Sequence, residues 1–210
     1  MSSSVLNKYS PLVNSSKKES GDRSYPIWLL VNPNYTAVRH NIWTPILEEI
    51  QDKVYRKLHT RIDTKNIFIK NAVSDIGMVP NTVNRGAVTI AKEIMMFRQS
   101  VLEEQPKIIF TFGSITYEFA RRVFEISNEK GAMYWSTANL GDEFERSIAN
   151  FDINKTNRIP LPSRVMKGGK FFEERNYSNW KDSGNYFREV GTKIADRIIE
   201  NKDKLKIWIE

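Results

Sequence analysis

The sequence predicts an α/β fold, a three-layer α/β/α sandwich around a four-stranded, mainly parallel sheet. Short apolar runs such as PIWLLVNPN at Pro26–Asn34 stop abruptly at polar, turn-forming residues, the pattern of strands covered on both faces. Between these runs lie segments whose apolar residues recur at helical spacing, and strands alternating with helices imply parallel strands joined by helical crossovers. With 210 residues, 40% hydrophobic and 27% charged, the chain can bury one sizeable core, so a single domain over residues 25–210 is expected.

The elements follow in order. Residues 1–24 are rich in Ser, carry Lys17, Lys18 and Arg23 and few large apolar side chains, and predict a flexible basic arm. After the first strand, Thr44 suits a helix N-cap and Pro45 the first helical position, with Ile46, Ile50, Val54 and Leu58 in register for a helix over about 45–58. Asn66–Lys70 predicts the second strand, followed by a polar loop through Asn81. A helix then carries Ala87, Ala91, Ile94, Met95, Val101 and Leu102 on its apolar face. Lys107–Phe112 predicts the third strand, and Gly113 allows a sharp turn into a helix bearing Ile115, Phe119 and Val123. Residues 131–155 show no clean period and read as an irregular insertion with Trp135 and Phe144 packed inward. Arg158–Leu161 predicts the fourth strand, and Asn185–Asn201 a closing helix with Phe187, Val190, Ile194 and Ile198 inward.

Composition narrows the function. The absence of cysteine excludes disulfides, thiolate zinc sites and cysteine-ligated iron-sulfur clusters, and two histidines leave little for a metal, so no cofactor is expected. No apolar stretch is long enough for a membrane span or a signal peptide, so a cytoplasmic protein with no membrane partner is expected, as a monomer. The balance of 32 basic against 25 acidic side chains, a net charge of +7, favours a polyanion such as DNA as partner.

The strand ends carry the candidate chemistry. In open α/β sheets ligands bind just beyond the carboxyl ends of the strands. Three strands end in polar residues there: Asn32 in LLVNPN, Asn71 in NIFIKNAV and Ser163 in NRIPLPSR. Taken alone, Asn32-Pro33-Asn34 is a common turn signal. The ordered set is more informative. LLVNPNY resembles the first signature motif, GINPG, of the mismatch-specific uracil and thymine branch of the uracil-DNA glycosylase superfamily, with Asn32 and Pro33 on its Asn and Pro. HNIWTPILEE is similar to the segment NRFWPVL, with Trp43 on its Trp. KNAVSD is similar to the second strand end, PKIIFTFGS to the third strand and its glycine turn, and LPSRV to the second signature motif, HPS or MPS followed by an intercalating apolar residue. The likeness spans residues 26–190.

The resemblance implies a monofunctional DNA N-glycosylase that flips a nucleotide out of the duplex, sets a water under its sugar and stabilises the departing base anion. Asn32 would orient that water through an amide that cannot ionise, and Asn71 would offer donor and acceptor to a pyrimidine edge. Asp75 is the candidate auxiliary base. Asn34 stands where uracil-specific relatives carry a Tyr that blocks C5 substituents, which implies a roomier pocket. Tyr35 or His40 would stack on the flipped base. Ser163 would hold a phosphate, Val165 takes the wedge position, Arg164 would fill the gap left by the base, and Lys167 and Lys170 form a DNA-contacting loop. Leu161 replaces a His that would hydrogen-bond the base oxyanion, so that donor must come from backbone N–H groups, Ser163 or Arg164. These departures turn the expected substrate away from plain uracil toward a C5-modified pyrimidine, such as a hypermodified cytosine of phage DNA. Two other classes fit the same cleft: an enzyme of small nucleosides or nucleotides, and a catalytically silent DNA-binding module.

Overall fold

In the computed structural model the residues described are 19–32, 38–72, 85–124, 131–163 and 183–209. They hold five strands, β1 (Glu19–Ser20), β2 (Ile27–Val31), β3 (Phe68–Asn71), β4 (Ile108–Phe112) and β5 (Asn157–Leu161). Five α-helices accompany them, α1 (Thr44–Leu58), α2 (Arg85–Glu104), α3 (Ser114–Val123), α4 (Thr137–Ala149) and α5 (Ser183–Glu200).

The strands form one mixed sheet in the order β1-β3-β2-β4-β5, with β1 antiparallel to β3 and the remaining pairs parallel. Every residue of β2 and β4 is buried, as expected of strands with helices on both faces. Alternation along β2 divides the core in two. Ile27, Leu29 and Val31 pack with Ile46, Ile50 and Val54 of α1, Phe144 and Ile148 of α4, and Val190 and Ile194 of α5. Trp28 and Leu30 pack with Phe97 and Val101 of α2 and Phe119, Ala120 and Val123 of α3. Helices α1 and α5 cross closely at Gly191, where a β-carbon would come within 2.5 Å of Glu49 Cβ and 3.0 Å of the Ile46 carbonyl oxygen.

The edge strand β5 contains Pro160, and the ladder explains why it is tolerated. Asn157 donates its N–H to the Lys107 carbonyl (2.9 Å), and the Leu161 carbonyl accepts from Gly113 (2.7 Å). Residues 157, 159 and 161 therefore turn their peptide groups toward β4, whereas 158 and 160 turn theirs outward. The absent N–H of Pro160 costs no ladder bond.

Four expectations need correction. The sheet has five strands, because β1 lies inside the segment read as a flexible arm. Its polar sequence carries no strand signal, and it is held by ion pairs from Glu19 to Lys70 and Arg23. The segment read as an irregular insertion contains a 3₁₀ turn (Ala132–Tyr134) and α4. Ser136 caps α4 by accepting from the Asn139 N–H, and Leu140, Phe144 and Ile148 line its buried face, a stripe at i, i+4 and i+8 interrupted by Gly141 and a charged run. Trp135 and Phe144 are buried as expected. Thr44 is not an N-cap: a π-helical turn, Arg39–Trp43, runs directly into α1. On α2, Ala91, Met95 and Leu102 face solvent, and the inward stripe is Ile94, Phe97 and Val101.

Candidate active site at the carboxyl ends of the strands

The chain leaves β2 toward β3 on one side and returns to β4 on the other, so the order of crossovers reverses beside the carboxyl end of β2. That reversal opens a crevice in parallel sheets. Asn32 follows directly on Val31 at this point, partly buried. Val31 pairs with Asn71, the last residue of β3, and its carbonyl accepts the Ala72 N–H at 2.8 Å. Asn71 thus continues the face that carries Ile69 and Val31. On the other side, Phe112 pairs with Leu161, which brings Gly113 and Ser163 together.

Gly113 (φ 90°, ψ 175°) occupies backbone space that side-chain-bearing residues avoid. Its missing side chain is also filled: a β-carbon there would lie 2.9 Å from Ser163 Cβ and 3.0 Å from Ser163 Oγ. The glycine turns β4 directly into α3, whose first turn no side chain caps. The amino end of α3 therefore sits at the same edge as Asn32, Asn71 and Ser163, with backbone donors and the positive end of a helix dipole. Among the described residues, none hydrogen-bonds the side-chain amides of Asn32 and Asn71 or the Ser163 hydroxyl.

Trp43 is core rather than site, packed against the rings of Phe110 (5.1 Å) and Phe112 (6.1 Å) at the outer end of β4. His40 lies exposed in the π-helical turn that feeds α1, and His59 ends α1 in the left-handed conformation (φ 54°). π-helical turns such as Arg39–Trp43 are frequent at functional positions. Asn34, Tyr35, Asp75, Arg164, Val165, Lys167 and Lys170 lie outside the described residues.

Sequence reasoning missed a buried polar cluster between α3 and the start of α4. Glu118, 5% exposed, accepts from Trp135 Nε1 (2.8 Å) and Arg121 (3.3 Å), with Arg122 at 3.4 Å. Tyr117 packs edge-on against Trp135 (4.7 Å) and donates to Glu143 (2.8 Å). Burial first, then the Glu143 carboxylate, pushes the Tyr117 hydroxyl well above its ordinary range, so it stays a donor. The signal was present as Glu118-x-x-Arg121-Arg122, i to i+3 and i+4 on one helix. This cluster pins α3 and α4 together behind the strand ends.

Two wide clefts, of about 730 and 810 Å³, open near Lys206 and Trp208, at the opposite pole from the strand ends. Neither cleft borders Asn32, Asn71 or Ser163, and the convergent polar strand ends are the candidate site. Among the described residues no cluster of three or more His, Asp or Glu side chains is placed to hold a metal, and no helix is long and apolar enough to cross a membrane. No protein-family model matches the chain, and no curated protein matches it at a significant level.

Proposed function

We propose that this chain is a monofunctional DNA N-glycosylase of the uracil-DNA glycosylase type, acting on a uracil-like or C5-modified pyrimidine and leaving an abasic site. The observation that carries the reading is the register of the strand ends. Asn32, Asn71, Gly113 and Ser163 share one edge of a sheet whose four parallel strands run in the order β3-β2-β4-β5. Amides, a hydroxyl and a helix amino end suit a reaction that needs water placed and an anion stabilised, with no group that must ionise.

In the proposed reaction the Asn32 amide holds a water against C1′ of the flipped nucleotide. The bond from C1′ to the base nitrogen breaks with its electron pair passing to the base, water oxygen bonds C1′, and the water proton leaves to solvent. Asn71 reads the pyrimidine edge. Backbone donors at the amino end of α3 and the Ser163 hydroxyl face the accumulating negative charge or a flanking phosphate. A net charge of +7 supports the DNA partner.

The test is abasic-site formation on duplexes and single strands carrying uracil, thymine, hydroxymethylcytosine or glucosylated cytosine. Release of a modified cytosine by the wild type, lost in Asn32→Ala with DNA binding retained, supports the proposal. Release of uracil alone overturns the modified-base preference. Cleavage of free nucleosides only, or DNA binding with no base released, overturns the glycosylase reading in favour of the other two classes.

A further inference from the structure

A cleft of about 510 Å³ opens at the amino ends of β4 and β5, across the sheet from the strand-end site. Among the described residues its charged lining is wholly basic, from Lys107, Lys155 and Arg158. Arg158 is the unusual member. It points from β5 toward the α3 face, in register with Ile109, and its guanidinium lies 4.7 Å from the Phe124 ring centre. Its Nη1 is buried with no hydrogen-bond partner, and no carboxylate forms an ion pair with it among the described residues. Burial pushes its affinity for a proton below the ordinary value, Arg121 adds to this, and Tyr117 and Glu143 oppose it. A guanidinium nevertheless remains charged at neutral pH.

A guanidinium with one nitrogen buried and lacking an acceptor carries a cost that an anion drawn into the cleft would offset. The other walls specify the rest of such a ligand. Phe124, Val101 and Leu102 give an apolar surface, with Leu102 63% exposed, whereas Gln105 and Asn154 offer amides to heteroatoms. The volume falls in the range of small-molecule sites, about 300–1,000 Å³. We infer that this cleft binds a small organic phosphate with a flat ring system, of the nucleoside monophosphate class, with Arg158, Lys107 and Lys155 on the phosphate and Phe124 and its neighbours beside the ring. Lys155 already lies 3.5 Å from Asp152, a loose and exposed pair that a phosphate would replace. The inference is independent of the glycosylase proposal, since it concerns the opposite end of the sheet.

Calorimetric titration of the full chain with adenosine 5′-monophosphate, adenosine and inorganic phosphate tests it. Saturable binding of the monophosphate is expected, with adenosine and phosphate each weaker by about tenfold or more. Arg158→Met fills the same space without charge. It is expected to keep or raise the melting temperature while weakening the monophosphate by about tenfold or more. Lys155→Glu, on an 80% exposed side chain that does not threaten folding, is expected to weaken it as well, and more so at low salt. No saturable binding at millimolar ligand overturns the inference, as does unchanged affinity in both variants. Inorganic phosphate binding as tightly as the nucleotide overturns the organic class.

Discussion

Replacing Gly113 by Ala tests whether the β4–α3 turn and Ser163 are locked together. The substitution has two separable costs. At φ 90° and ψ 175° any side chain is strained, by about 1–3 kcal/mol. The new β-carbon would also meet Ser163 Cβ at 2.9 Å and Oγ at 3.0 Å, contacts tight enough to force a shift, and overpacking of this kind costs about 1–3 kcal/mol. The single variant is therefore expected to lose about 2–6 kcal/mol, a large part of the roughly 5–15 kcal/mol that holds a domain together. Ser163→Gly removes the facing atoms, so the pair Gly113→Ala/Ser163→Gly should regain about 1–2 kcal/mol of that loss while the strain remains. Urea denaturation of the wild type, the two single variants and the double variant closes the cycle. A loss below about 1 kcal/mol in Gly113→Ala would refute the strain argument. A double variant no better than the sum of its singles would refute the contact.

Two further outcomes follow from packing and charge. Gly191→Ala should push α1 and α5 apart, because the added carbon meets Glu49 Cβ at 2.5 Å. A net loss of about 1–3 kcal/mol in urea denaturation is expected even though Ala is the better helix former, and a stabilised variant would contradict the close crossing. Burial raises the Glu19 carboxyl, but its bonds to Lys70 and Arg23 outweigh this and hold it below its ordinary 4.5. A lowered folded value means that the anchoring of β1 is fully present above 4.5 and is lost as pH falls through the folded value. Protection of the β3 amides at 68–71, taken relative to the intrinsic exchange rate at each pH, should therefore fall in acid, and Glu19→Gln should show the lower protection already at neutral pH. Equal protection in the variant at neutral pH would show that β1 is held by something else.

Much of the frame was legible because burial on both faces leaves a plain trace. The run IWLLV ending at Val31 and the nearly all-apolar run IIFTF ending at Phe112 cannot be solvated strands, and the stripes Ile46-Ile50-Val54 and Val190-Ile194-Ile198 fix two inward helix faces. What failed did so where side-chain patterns stop carrying the cause. β1 exists through backbone pairing and the charges of Glu19, and two polar residues show no period. The π-helical turn at Arg39–Trp43 depends on hydrogen-bond register, which apolar spacing does not report. Met95 and Leu102 seemed inward because each is an apolar residue adjoining a truly inward one, Ile94 and Val101, and apolar character alone does not separate such neighbours. At the site, the polar strand ends Asn32, Asn71 and Ser163 could be read as a set from their place after each strand. The closeness of Gly113 to Ser163 needed the β4–β5 register, a relation between residues 50 apart.

The outward-turned proline of β5 bears on how the protein behaves in a crowd. A sheet edge with a full row of free donors templates the strands of other molecules and seeds amyloid-like stacking. Along 157–161 the outward donors would be Arg158 and residue 160, and proline leaves only the first. At the far side of the sheet, β1 offers two residues among those described. Among the described residues, an intruding strand finds few backbone donors at either margin, which disfavours edge-to-edge joining of a chain with two strands as apolar as β2 and β4.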